Sequence, residues 1–287
     1  MHAGSKITIS QLAMRAVGGY VNTVALFSHQ QAGKIALDLF SKPRARKHKV
    51  HDPDLLAEAR QESIEVNGHT VRFFHWAGNG PRVLLAHGWE SNASRWEALV
   101  RALQRHGYDI LAPDAPSHGL SGGETFNVAL YADALLELTT SLRPQTLIGH
   151  SAGGMAVVFL LYKHPELTPQ NLVLLAVPSE LDLLMDRFRH MVGMNDAVFY
   201  AMMDAFHARY GWKMNDFSIS RFIRELQAPG LLIHDQNDPI APLEEGLSIH
   251  RNWENSRLAV TQGLGHSLHG DEVVRTIIDY LEDQKPT

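Results

Sequence analysis

The chain has 287 residues, 45% of them hydrophobic and 20% charged, a balance that excludes a disordered polymer and suits one or two packed domains. Its 26 Lys and Arg against 31 Asp and Glu leave a net charge of −5, which argues against a nucleic-acid partner, since phosphate binding needs a basic excess. There is no cysteine, so disulfides, thiolate metal sites, iron–sulfur clusters and cysteine nucleophiles are excluded, while the 17 histidines leave an imidazole site open in principle.

From about residue 10 to 40 the pattern predicts one or two amphipathic helices broken near Gly18-Gly19, with Leu12, Val17, Val21, Val24, Leu26, Ile35, Leu37 and Phe40 as apolar positions. A basic run, SKPRARKHK, follows at 41–49. Two readings compete for this region: a helical arm packed on the main domain and followed by a solvated linker, or a membrane-surface anchor. The arm is the expectation, because the run is short and Pro43 suits a connection. No window reaches about 18 uninterrupted apolar residues, and Arg15, His29, Gln30 and Gln31 interrupt any signal-peptide core. A cytoplasmic protein without stable membrane insertion is therefore expected.

Beyond residue 62 short β-branched runs alternate with helical stretches. Ile64 to Val66 and Thr70 to Trp76 flank Asn67-Gly68 as a hairpin. Strands are then expected at Arg82 to Ala86, Tyr108 to Ala112, Gln145 to Gly149, Leu172 to Val177, Gly230 to His234 and Arg257 to Val260. Helices are expected at Ser94 to His106, Asn127 to Leu142 and Ala152 to Lys163. Apolar runs of five or six between helices mark parallel strands covered on both faces, hence an α/β sheet. Residues 180–225 hold six of the nine methionines and no convincing strand, and read as a helical insertion. The expected division is an arm and linker at 1–55 and a domain at 56–287 carrying this insertion as a cap.

The sharpest chemical signal is Gly149-His150-Ser151-Ala152-Gly153, preceded by the strand QTLI and followed by an apolar helix. A G-x-S-x-G turn between strand and helix exposes a serine on a strained backbone, and the helix start aims N–H groups at the reacting oxygen. Such a serine needs a base and an orienting acid. Asp238, past a strand and before Pro239, is the acid candidate, with Asp235 as competitor; His266 is the base candidate, with His269 as competitor. The order Ser…Asp…His suits this kind of site. His87-Gly88-Trp89, directly after RVLLA, is placed to supply a second oxyanion N–H, from Trp89, beside that of Ala152. His87 and His118 are read as braces of their loops. No metal site is expected, because the pairs His234 with Asp235 or Asp238, and His266 with His269, lack further ligands at the right spacing.

HGWESN, DAPSHGLS, GHSAGG, HDQNDPIAP and GLGHSLHGD together resemble the α/β-hydrolase superfamily over about residues 62–284. The helices and basic stretch before them resemble a bacterial subgroup of it with no settled physiological substrate. The resemblance implies a mostly parallel eight-stranded sheet with helices on both faces and a cap between the sixth and seventh strands. It also implies a triad of Ser151, Asp238 and His266 with Trp89 and Ala152 as oxyanion donors, and no cofactor. Two departures stand out: Ser117 occupies the usual glycine of the D-x-P-G-H-G loop, and Asp235 stands where a glycine is common.

A serine nucleophile points to acyl transfer rather than epoxide or halide chemistry. A carboxylesterase-like hydrolase acting on a small-molecule acyl substrate is the leading expectation; thioesterase, lactonase and C–C bond hydrolase activities use the same triad. Trp89, His150, Met185, Phe188, Met202 and Phe206 are the expected substrate contacts, favouring a hydrophobic acyl or aromatic group, although methionines and aromatics at helical spacing also simply pack helices together. A non-catalytic binding protein and a peripheral membrane module are the competing classes, and self-association into a homo-oligomer stays open.

Overall fold

The computed structural model describes residues 9–43 and 52–284. Most of the basic run lies outside the described residues. In chain order the elements are α1 (Ile9–Ala25), α2 (His29–Ser41), α3 (Pro53–Glu58), β1 (Arg60–Val66), β2 (His69–Trp76), β3 (Arg82–Ala86), α4 (Glu97–Arg105), β4 (Asp109–Pro113), α5 (Val128–Leu142), β5 (Thr146–His150), α6 (Ala152–Lys163), β6 (Asn171–Leu175), α7 (Leu181–Val192), α8 (Asp196–Tyr210), α9 (Ile219–Phe222), β7 (Gly230–Asp235), α10 (Leu243–Asn252), β8 (Ser256–Thr261) and α11 (Asp271–Asp283). Short 3-10 turns join some of them. They form two compact units.

The larger unit runs over Lys42–Ser179 and Ile219–Thr287. Its eight strands lie in the order β1-β2-β4-β3-β5-β6-β7-β8. The β1–β2 and β2–β4 pairs are antiparallel and the rest parallel, so the sheet is mostly parallel, as the pattern of apolar runs predicts. Asn67 and Gly68 turn the β1–β2 hairpin at φ 49° and 76°, the pair of left-handed positions a two-residue turn requires. Strands β5, β6 and β7 are buried along their whole length, whereas edge strand β1 is mostly exposed or half-buried. The carboxyl ends of β3, β5, β7 and β8 feed the four loops in which the sequence placed its candidate residues. This is the end of a parallel sheet where side chains converge.

The smaller unit joins residues 9–41 to Glu180–Ser218. The arm and the insertion, which the sequence presents as separate attachments to the sheet domain, are thus built into one helical body. The insertion also ends earlier than expected, because Ile219–Phe222 belongs to the larger unit. Nor does α1 break at Gly18-Gly19; it runs on to Ala25. Gly18 serves close approach instead, since a Cβ there would lie 1.8 Å from the carbonyl oxygen of Val192. Gly33 does the same against Ala201, at 2.4 Å from its carbonyl oxygen. Polar ties accompany the packing: Asn22 Nδ2 donates to Gly193 O, Asn195 N donates to Asn22 Oδ1, and Arg209 pairs with Asp38 at 2.7 Å. Phe40 packs edge-on against Phe188 at 5.1 Å between ring centres. The insertion closes on itself through a bridge between Glu180 and Ser218, with Ser218 Oγ donating to Glu180 Oε1.

Candidate active site

Strand β5 ends at His150, and Ser151 turns the chain into α6 with φ 52° and ψ −123°. A non-glycine residue holds this conformation only where its surroundings impose it. They do so here. Ser151 N–H donates to Leu175 O at 2.9 Å, tying the turn to the end of β6. Gly149 and Gly153 leave no room for a side chain: a Cβ on the first would lie 2.5 Å from Gly154 Cα, and on the second 2.3 Å from Ala86 O. Ala152 opens α6, so its N–H belongs to the first-turn donors that have no carbonyl within the helix.

Ser151 Oγ lies 2.9 Å from His266 Nε2, and His266 Nδ1 lies 2.8 Å from Asp238 Oδ2. The ionised carboxylate accepts a hydrogen bond from Nδ1–H, so the proton stays on Nδ1 and Nε2 is left as the acceptor for the serine hydroxyl. Asp238 Oδ1 accepts from the N–H groups of Ile240 and Ala241 at 2.8 and 2.9 Å. Burial opposes ionisation of Asp238, but the hydrogen bond and charge of His266 and these two N–H groups outweigh it and hold the carboxyl below its usual range. His234 Nε2 donates to Ala241 O at 2.7 Å and lies 3.8 Å from Asp238 Oδ2, bracing the acid loop from below.

Geometry separates the competitors that the sequence leaves open. Asp235 Oδ2 accepts from Thr261 Oγ1 at 2.8 Å and Leu264 N at 2.9 Å, and its Oδ1 accepts from Asn237 N. It therefore ties the β7 loop to the loop carrying His266, and the ring of His266 bonds to Asp238. His269 lies on the wall of a cavity behind that loop.

The loop after β3 passes directly over the serine turn. A Cβ at Gly88 would sit 3.0 Å from Ser151 Cβ and 2.9 Å from His150 Nδ1. His87 braces it by donating from Nδ1 to Gly88 O and accepting Ala115 N–H at Nε2. His118 Nε2 accepts Glu90 N–H, and Asp114 accepts from Ala93 N and Leu120 N, so the two loops are bolted together. Ser117, in place of the usual glycine, does adopt a left-handed φ of 63°.

The expected substrate contacts are distributed unevenly. The half-buried Trp89 ring meets His118 and Phe126 edge-on at 5.4 and 5.3 Å. His150 is buried, and its Nε2 donates to the main-chain carbonyl of His266 at 2.8 Å. Met185, Phe188, Met202 and Phe206 belong to the helical unit: both methionines are fully buried, Phe188 packs on Phe40, and Phe206 packs on Tyr210. Arg95 escapes the sequence reading; its Nη2 donates to Ser267 O at 2.9 Å. Its only sequence signal is a cation beside Trp96 at the start of an amphipathic helix.

The model of the alpha/beta hydrolase family matches residues 83–276, a span that includes all of these loops. The chain belongs to the alpha/beta hydrolase family. It is 33% identical over 109 residues to an uncharacterized protein of Mycobacterium tuberculosis, covering 37% of this chain and 32% of that one. It is 28% identical over 125 residues to an esterase of the same organism, covering 42% of this chain and 41% of that one. The chain thus spans about a third of the first relative's length and about two fifths of the second's. Among solved structures, an esterase from Exiguobacterium antarcticum superposes with a TM-score of 0.62 at 19% identity, over 78% of this chain and 100% of that one, a likeness of fold.

Proposed function

We propose that this alpha/beta hydrolase is a serine esterase that cleaves carboxylic esters of hydrophobic acyl or aromatic groups through an acyl-enzyme on Ser151. The observation that carries the reading is the unbroken hydrogen-bond chain from Ser151 Oγ through His266 to Asp238, at 2.9 and 2.8 Å, on a serine held at φ 52°. In the first half-reaction Ser151 Oγ attacks the ester carbonyl while its proton passes to His266 Nε2. The tetrahedral oxyanion is met by the N–H groups of Trp89 and Ala152, each donor worth about 10²–10³ in turnover in sites of this kind. Collapse breaks the bond to the alcohol, which leaves with the Nε2 proton. Water then repeats the cycle: Nε2 takes its proton, hydroxide adds to the acyl carbon, and the carboxylic acid departs as Oγ regains the proton. Asp238 stabilises the imidazolium in each half without itself taking a proton. Support for the preference comes from the half-buried Trp89 ring, packed on Phe126, in the loop that passes over Ser151.

Fluorophosphonate labelling followed by intact mass and peptide mapping tests the reading. One adduct at Ser151 is expected, absent in Ser151→Ala, and that variant should lose about 10⁴-fold or more in ester turnover with its fold intact. Undiminished turnover in Ser151→Ala would overturn the assignment. A matched series of esters, thioesters and lactones then ranks the leaving groups.

A further inference from the structure

The backbone that carries His266 is strained and thinly packed. Gly263, Gly265 and Leu268 take φ of 84°, 59° and 49°, and the last has no glycine to make that conformation easy. Between this loop and the start of α4 lies a cavity of about 170 Å³, walled by Arg95, Ser267 and His269 with Leu175 and Ile277 beneath. The loop is held by side chains reaching its successive carbonyls: His150 donates to His266 O, and Arg95 donates to Ser267 O.

His150 is the more informative of the two. It precedes the nucleophile in the chain, is only 6% exposed, and its ring lies 5.2 Å from that of His266. Burial, with Arg95, His266 and His269 nearby, pushes its protonation well below the ordinary histidine range, so the ring is neutral. The carbonyl acceptor then fixes the proton on Nε2. Its Nδ1 is buried with no hydrogen-bond partner among the described residues and faces Gly88. An orphaned buried acceptor lowers stability, so a side chain kept in this state is better explained by what its other nitrogen holds.

We propose that His150 is a positioning residue that ties the nucleophile turn to the main chain of His266, with Arg95 securing the next carbonyl. The proposal rests on the esterase reading. Its chemical logic lies in the acyl-enzyme: once Ser151 Oγ is esterified it has no proton to give, and the Ser151–His266 hydrogen bond is gone. The His150 bond uses a backbone oxygen that takes no part in the reaction and persists. It keeps Nε2 over the acyl carbon while water is deprotonated, so its loss should slow deacylation more than acylation.

The test compares wild type with His150→Phe, which keeps a ring but no donor, and His150→Gln, whose amide N–H reaches the position of Nε2. With an activated ester, His150→Phe should lose about 10- to 100-fold in kcat, since small misplacements of a catalytic group have costs of this order. KM should fall with kcat, acyl adduct should accumulate on Ser151 at steady state by intact mass, and Tm should not drop. His150→Gln should recover most of kcat. If the Phe variant does not fold, His150→Asn, too short to reach the carbonyl, should show the same accumulation against an active His150→Gln. Wild-type kcat in the donor-less variant, or equal losses of kcat and kcat/KM together with a lower Tm, would overturn the proposal. Wild type that neither labels nor turns over would instead sink the esterase reading itself.

Discussion

Two carboxylates three residues apart, one closing β7 and one in the loop after it, have surroundings that give them different work. Asp238→Asn is expected to cost about 10⁴-fold in ester turnover, because the amide no longer holds His266 in the right tautomer. Asp235→Asn should spare activity far more and lower stability by about 1–3 kcal/mol, since it disturbs bonds to Leu264 N, Thr261 Oγ1 and Asn237 N. Turnover and chemical denaturation of both variants check the pair, and the reverse ranking would exchange their roles. The Asp238 carboxyl is held below its usual range, so its contribution to stability is complete above the ordinary carboxylate value of about 4 and is lost as pH falls toward the folded value. Wild-type Tm should consequently decline on acidification below about pH 4 more steeply than that of Asp238→Asn. At this scale the sequence was legible in kind: Ser151, Asp238 and His266 could be named because their residue types recur at successive strand ends. Asp238 was the choice, yet Asp235 stayed a competitor, because residue type and spacing do not give the direction of a side chain. The partner of His150 was hidden for another reason: a bond to a main-chain carbonyl leaves no mark on the residue that accepts it.

Neighbouring glycines in α1 offer a sharp contrast. Glycine in a helix interior normally lowers stability by about 0.5–1 kcal/mol relative to alanine. A Cβ on Gly19 would meet nothing within 4 Å, so Gly19→Ala should gain about that much. Gly18→Ala should lose about 1–3 kcal/mol, because the methyl would meet the backbone of Val192 and the helices would have to separate. Denaturant melts of the two variants read the sign directly. The same pair shows why a helix break was expected: composition marks glycine as a breaker, and only a neighbouring helix turns it into a contact. The strands were easier, since continuous apolar runs such as those of β5, β6 and β7 have few places to go other than a doubly covered sheet.

Across the whole molecule, the principal departure from the sequence reading is the union of arm and insertion. Each shows an apolar stripe, and a stripe states that something will cover it without stating what. Val21, Ala32, Ala36 and Leu37 of the arm are buried in a body that also contains Met185, Val198 and Met202. A chain lacking residues 1–41 should therefore bind more of a hydrophobic dye, melt less cooperatively and be cut within residues 180–218 by a protease at concentrations the full chain resists. Unchanged dye binding and proteolysis would show that the insertion holds its form alone. Among the described residues, no helix is long and apolar enough to cross a membrane.

Because one helical body is assembled from segments about 140 residues apart, its first half leaves the ribosome well before its second exists. At ordinary elongation rates of about 5–20 residues per second, that interval is roughly 7–28 s, long on the scale of helix formation and collapse. Through it α1 and α2 have only each other, and the faces that will meet α7 and α8 stand open to water. Helices α1 and α2 thus wait for partners made much later, so the nascent chain should depend on chaperone shelter over residues 9–41, while a chain rearranged to place the two segments side by side in sequence should not.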